Sequence, residues 1–304
     1  MTLKQQLQHR ARLYQHIRAF FSRLDYLEVD TPLLSASSNT DIHIESIAAR
    51  VCGQTQYLQT SPEFAMKRLL AAGSGSIFQI GHAFRDEEQG RRHRPEFSLL
   101  EWYGVGLDYR QLMDQVEALI RYLDADASAF QRLSYAQCFE QTLGLNIFEA
   151  SLARLRETVA EHIAGIDQLS LSASDCLDLL ISEVIAKRFD GYTFVYDYPA
   201  EQASLARLSR VDPRVAERFE LFHQDMELAN GFSELTDVHE QRARFEQDNA
   251  RRVAAGRKPY PIDEDFLAAL EQGLPECAGV ALGLDRLLMV LHSADSIDQV
   301  TAPF

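Results

Sequence analysis

The chain has 304 residues, 46% of them hydrophobic, with 45 acidic against 30 basic side chains and a net charge of −15. That length allows a substantial buried core, while the acidic balance disfavours broad contact with a phosphate backbone and leaves room only for a local basic patch. No stretch is long and apolar enough to span a membrane, the N-terminus lacks the apolar core of a secretory leader, and Cys52, Cys138, Cys176 and Cys277 form neither a C-x-x-C pair nor a zinc spacing, so the expected setting is the cytoplasm, with reduced thiols.

Residues 3 to 24 carry apolar side chains at helical spacing: Leu3, Leu7, Leu13, Ile17, Phe20 and Phe21. Ser61 and Pro62 are suited to the N-cap and first turn of a helix through Ala72. Gly73-Ser-Gly75 then reads as a loop, because it follows a helix rather than the strand that a dinucleotide fingerprint requires. Residues 76 to 105 read as strands. A mostly helical stretch follows at about 109–190, taken as an insertion closed by an Asp190-Gly191 turn. Strands resume at Thr193–Tyr198 and Arg218–Ala229, and Asp263 opens one of the later helices. The expected fold is α+β, an antiparallel sheet flanked by helices, in one domain.

Three segments carry candidate chemistry. From Phe84 to Phe97 the chain reads as a strand, a loop holding Arg91, Arg92 and Arg94, and a returning strand. On that strand Phe97, Leu99, Glu101 and Tyr103 share one face, while Ser98, Leu100 and Trp102 share the other. A carboxylate and a phenol beside an aromatic ring suit a cationic ligand; taken alone, the alternation requires only a half-buried strand. Further on, Glu227 and Glu234 flank Asn230-Gly231. A straight strand would hold them roughly 23 Å apart on opposite faces, whereas a turn at Asn-Gly folds them together. Two converging carboxylates suit a hard divalent cation on phosphates; two solvated acids on a hairpin is the other reading of that segment. The third segment, Ala278 to Arg286, reads as a buried strand, a glycine turn at Gly283 and a helix. Arg286 in the first helical turn opposes the helix dipole unless an anion lies nearby.

Together these segments resemble the class II aminoacyl-tRNA synthetases. Phe20 to Leu34, with Pro32, looks like motif 1; the strand-loop-strand around Arg85 and Glu87 looks like motif 2; Gly279 to Arg286 looks like motif 3. Thr60-Ser-Pro-Glu63, Arg94-Pro-Glu-Phe97, Leu100-Glu-Trp-Tyr103 and Glu227 to Leu235 are similar to lysyl-tRNA synthetases. Motif 1 begins within the first 25 residues, so no anticodon-binding domain is expected. That architecture resembles the paralogous elongation factor P lysine lysyltransferases, as do Asp41-Ile-His43, Ala203 to Ala206 and Arg214 to Glu220.

The resemblance implies an enzyme that activates (R)-β-lysine or lysine with ATP and Mg²⁺ and transfers it to a lysine of elongation factor P. It implies a homodimer with no stable tRNA binding and no membrane association. It assigns the α-phosphate and the substrate carboxylate to Arg85, the γ-phosphate to Arg286 and the metal to Glu227 and Glu234. Phe97 is expected to stack on adenine, with Arg286 a candidate for its other face. Asp86, Glu87, His93, Arg94, Leu228 and Gly283 line the nucleotide. Ser61, Pro62, Glu63, Glu101, Tyr103 and Glu234 take the amino acid. Two departures stand out. Ala281 replaces a usual glycine, and Arg94 replaces a common Asn. A truncated synthetase charging tRNA and a silent amino-acid- or RNA-binding paralogue remain as alternatives.

Overall fold

The computed structural model describes residues 2–127 and 129–302, which form two compact units. Residues up to 125 and from 233 onward make the first, and residues 126–232 the second.

The first unit opens with α1 (Leu3–Arg23), begun by a Thr2/Gln5 capping box. It leads into β1 (Leu27–Glu28) and a small antiparallel sheet of β2 (Leu34–Ser35), β3 (Ala48–Val51) and β4 (Gln54–Leu58) in the order β2-β4-β3. Helix α2 (Glu63–Ala71) follows. Its start differs from expectation. Pro62 occupies the N-cap, and the Ser61 hydroxyl accepts the Glu63 N–H at 3.0 Å from one residue earlier. Strands β5 (Ile77–Phe84) and β6 (Glu96–Val105) form an antiparallel pair, as the period-2 pattern predicts. Helix α3 (Tyr109–Leu123) closes this part.

The second unit contains β7 (Phe130–Ser134), α4 (Tyr135–Leu143), α5 (Leu152–His162), α6 (Ala173–Leu180), β8 (Tyr192–Pro199), β9 (Val215–His223) and β10 (Met226–Ser233), whose last residue belongs to the first unit. Strands β7 and β8 are parallel, and β8, β9 and β10 run antiparallel in turn. Its helices pack Tyr135, Phe139, Leu155, Val159, Leu180 and Ile185 into a core of their own. The stretch expected as one helical insertion at about 109–190 is therefore divided. Helix α3 belongs to the first unit, and β7 is a strand inside the range.

The chain then returns to the first unit with α7 (Val238–Ala254), α8 (Glu264–Gly273), β11 (Cys277–Gly283) and α9 (Leu284–Leu291). Asp263 caps α8, as expected. Strand β11 pairs antiparallel with β6, while β1 lies parallel to β5.

One expected turn is absent. Asn230 and Gly231 lie inside β10, opposite Glu220 and Phe219 of β9. The reversal comes earlier, at Gln224–Asp225, where Gln224 adopts φ +53°. Side-chain pairing overrides the local turn preference, because Asn230 accepts from Arg218 at 3.2 Å and donates to Glu220 at 3.3 Å. A bulge between Glu227 and Ala229 shifts the register by one residue. Such a shift reverses face parity, and Glu227, Asn230 and Phe232 accordingly share the less buried face of β10.

Beneath β5 and β6, fully buried Phe21 stacks on Phe78 at 4.6 Å and meets Trp102 edge-on at 5.2 Å. Trp102 Nε1 donates to Gln115 at 3.2 Å, so the indole polar atom is satisfied. Phe21→Ala should cost about 3–5 kcal/mol of stability. Chemical denaturation checks this; a loss below about 1 kcal/mol would contradict Phe21 as the anchor of α1.

Candidate active site

Alternation along β6 places Glu101 and Tyr103 on one face and Trp102 on the other. The Tyr103 hydroxyl donates to Glu101 Oε1 at 2.6 Å, and the Ser61 hydroxyl donates to Glu101 Oε2 at 2.7 Å. Ser61 therefore joins the start of α2 to the sheet. One turn along α2, Lys67 lies on the same side as Glu63. Lys67 Nζ sits 2.6 Å from Glu63 Oε1 and 2.5 Å from Glu234 Oε2. The side chains of Lys67 and Glu234 have no solvent exposure, and Glu63 retains 16%. Stacking of Phe64 on Phe266 at 4.8 Å fixes α2 against α8, and the Phe266 ring lies 5.6 Å from the Lys67 ammonium.

Strand β11 closes the same region. Gly279 pairs with Tyr103, and Ala281 pairs with Glu101. A β-carbon at Gly279 would overlap the Tyr103 ring and the Glu234 carboxylate. Ala281 therefore stands on the face that carries the carboxylates. Gln79 pairs with Glu101 from the other side, on β5, and its buried Oε1 has no hydrogen-bond partner.

Three acids and one ammonium share this pocket. Burial, followed by the Glu63 charge, pushes Glu101 up to about 7. Burial pushes Glu234 up to about 8, against the pull of Lys67 and with added repulsion from Glu63 and Glu101. Burial opposes the charge on Lys67, but Glu234 and then Glu63 outweigh it and hold the ammonium protonated. Tyr103 is raised well above its ordinary value by burial, then by Glu101, and stays a hydrogen-bond donor. The site is thus short of positive charge and suited to a ligand that brings more than one cation.

The β5–β6 hairpin carries the other groups. Arg85 lies over the Phe97 ring at 5.1 Å, donates to the Thr60 carbonyl at 3.4 Å and stands 3.4 Å from Glu88. Asp86 N–H donates to the Glu45 carbonyl at 2.8 Å, and Glu87 adopts φ +63°. The loop is tied to the segment after α9. Arg94 pairs with Asp298 at 2.5 Å, and the Arg91 carbonyl accepts from Ile297 N–H at 3.0 Å. Arg286 touches His93 and donates to the Arg92 carbonyl at 3.4 Å. Gly283 ends β11 and caps α9, at φ −72°, so strand passes straight to helix without the glycine turn expected there. Asp285 accepts from Ser98 N–H at 2.7 Å and pairs with Arg10, fixing the start of α9 on β6.

In the second unit, Glu227 pairs across the sheet with Phe222, two steps from the Glu220–Asn230 pair. Burial and then the charge of Glu227 push Glu220 up to about 7. Two acids on one sheet face, the charge of Glu227 raising Glu220, are suited to a hard cation. Leu228 occupies the bulge beside them and is buried.

Residues 1–303 match the family model described as "tRNA synthetases class II (D, K and N)". The chain is 47% identical to the elongation factor P--(R)-beta-lysine ligase of Vibrio parahaemolyticus serotype O3:K6 (strain RIMD 2210633), over 99% of this chain and 96% of that relative. It is 46% identical to the ligase of the same name from Proteus mirabilis (strain HI4320), over 96% and 93% of the two chains. The chain belongs to the elongation factor P--(R)-β-lysine ligase family of class II synthetases.

Within that family frame, the structure brings Ser61, Pro62, Glu63, Glu101, Tyr103 and Glu234 to one region of the first unit, and groups Arg85, Asp86, Glu87, His93, Arg94 and Phe97 on its hairpin. Lys67, Gln79 and Glu220 were missed from sequence. Lys67 offered one signal, its four-residue spacing from Glu63, but a surface ion pair has the same spacing. No helix among the described residues is long and apolar enough to cross a membrane.

The charge shortage has a pH signature. Glu101 and Glu234, raised to about 7 and about 8, hold protons near neutrality and release them to pair with a dication. Affinity for a diamino acid should therefore rise between pH 6 and 8, and titration calorimetry at pH 6.5 in buffers of different ionisation enthalpy should record net proton release. Proton uptake, or affinity flat across that range, would contradict the pocket.

Proposed function

We propose that this protein activates (R)-β-lysine with ATP and transfers it to a lysine side chain of elongation factor P. The observation that carries this reading is the buried pocket of Glu63, Glu101 and Glu234 around a single Lys67, in a chain of this ligase family. The substrate has two ammonium groups. Each needs an acid partner, because an unpaired buried charge is costly. Glu63, Glu101, Tyr103 and Glu234 supply those partners, and Ser61 holds Glu101 in place.

In the first step a substrate carboxylate oxygen attacks the α-phosphorus of ATP. An O–P bond forms, the bond to the β-phosphate bridging oxygen breaks, and pyrophosphate leaves. Two anions must approach, so charge neutralisation is the main requirement. Arg85 can offer its guanidinium to the α-phosphate and the carboxylate together. Phe97 presents a ring face to adenine, and Arg286 and His93 stand by the loop for the terminal phosphate. Glu227 and Glu220 fit Mg²⁺, which would supply further phosphate neutralisation when bound. This reading moves the metal from Glu234, whose carboxylate is engaged with Lys67.

In the second step the neutral amine of the acceptor attacks the adenylate carbonyl, an amide forms and AMP leaves. An ordinary lysine has a pKa of about 10.4, so its deprotonation near neutrality costs roughly 4–5 kcal/mol. Burial at the site mouth lowers that cost. The net charge of −15 supports a protein acceptor over tRNA. We also propose a cytoplasmic homodimer, in which α1 and the exposed Leu27, Leu33 and Leu34 are covered.

Pyrophosphate exchange dependent on (R)-β-lysine, followed by transfer of label to elongation factor P and not to tRNA, is the expected result. Labelling of tRNA alone would overturn the reading. Glu234→Ala should lower exchange at least 100-fold. A near-normal rate in that variant would remove Glu234 from the substrate pocket.

A further inference from the structure

Lys67 contacts two of the substrate acids but takes no part in either bond-making step. Its ammonium has no solvent exposure and lies between Glu63 and Glu234, within 2.6 Å of each. These acids come from separate parts of the chain: Glu63 from the first turn of α2, and Glu234 from the residue after β10. Glu234 is held by its N–H donating to the Cys277 carbonyl at 3.0 Å. Lys67 is therefore the group that ties the two carboxylates together.

We propose that Lys67 is a positioning and specificity-determining residue, a built-in ammonium that braces Glu63 against Glu234 and leaves the pocket two carboxyl groups in excess. The inference rests on reading this pocket as the diamino-acid site. With three carboxylates and one ammonium ionised, two further ammonium groups complete the balance. (R)-β-lysine and α-lysine both bring two. A monoamino acid of similar length brings one and leaves a buried carboxylate without a counter-charge. Lys67 thus makes the pocket count charges, while the walls at Gly279 and Ala281 set shape. Without Lys67, Glu63 and Glu234 repel one another, and the pocket either takes up a proton or opens.

The test compares wild type, Lys67→Met and Lys67→Ala by pyrophosphate exchange. Methionine retains most of the buried stem and removes the charge. For Lys67→Met, KM for (R)-β-lysine should rise at least tenfold, while KM for ATP stays within twofold. Propylammonium chloride should return at least half of the lost affinity to Lys67→Ala, by restoring a cation in the vacated space. A role in packing alone would not respond to an added cation. Wild-type KM for (R)-β-lysine in Lys67→Met overturns the inference. So do equal rises in both KM values together with no rescue by propylammonium. Should wild type itself show no exchange with either lysine isomer, the proposed function falls first, and this inference with it.

Discussion

The ion pairs of Lys67 with Glu63 and Glu234 are the constraint on which the first unit's chemistry depends. A fully buried ammonium is unfavourable by itself, and so is each buried carboxylate. Together they are tolerable only if the surrounding elements hold all three within contact distance. Helix α2 must therefore start at the Ser61–Glu63 turn and lie on α8, and the chain after β10 must return to the start of β11. The contact of Phe64 with Phe266 and the hydrogen bond from Glu234 to Cys277 meet those demands. The apolar packing serves to place charges that would otherwise stay in water.

A second level of organisation comes from the sheet. Register across β5, β6 and β11 gathers Gln79, Glu101 and Ala281 into one row and places Gly279 beside Tyr103. The opposite face carries Trp102 over Phe21. One face is thus an ordinary aromatic core and the other a polar pocket, and the division follows from the two-residue period alone. At Gly279 the absence of a side chain admits Tyr103 and Glu234 to the same space.

Much of this was legible in the sequence, where a strong periodicity or a specific motif stood behind the reading. Alternation from Phe97 to Tyr103 gave the right face for Glu101 and Tyr103, because burial on both sides of β6 leaves no freedom of register. The Asn230-Gly231 turn was misread, because the dipeptide prefers turns whereas Arg218 and Glu220 offer the Asn230 side chain a donor and an acceptor within a ladder. Strand β7 went unseen because Phe130 to Ser134 is short and polar, and its parallel partner β8 lies some sixty residues away. Lys67 was missed for another reason. Helical spacing shows that a lysine can reach a glutamate, but only tertiary packing shows that both are removed from water. The same holds for Glu220, whose significance depends on the hairpin turning at Gln224.

The bulge in β10 has an evolutionary consequence. One surplus residue lets Glu227 look the same way as Asn230, and it does so by interrupting an otherwise regular ladder. Deleting that residue would mend the ladder and yield a smoother, sturdier hairpin with its acid turned to the wrong side. Selection for robustness alone would erase the irregularity, so its persistence in a lineage would mark a point at which the direction of one acid outweighs stability.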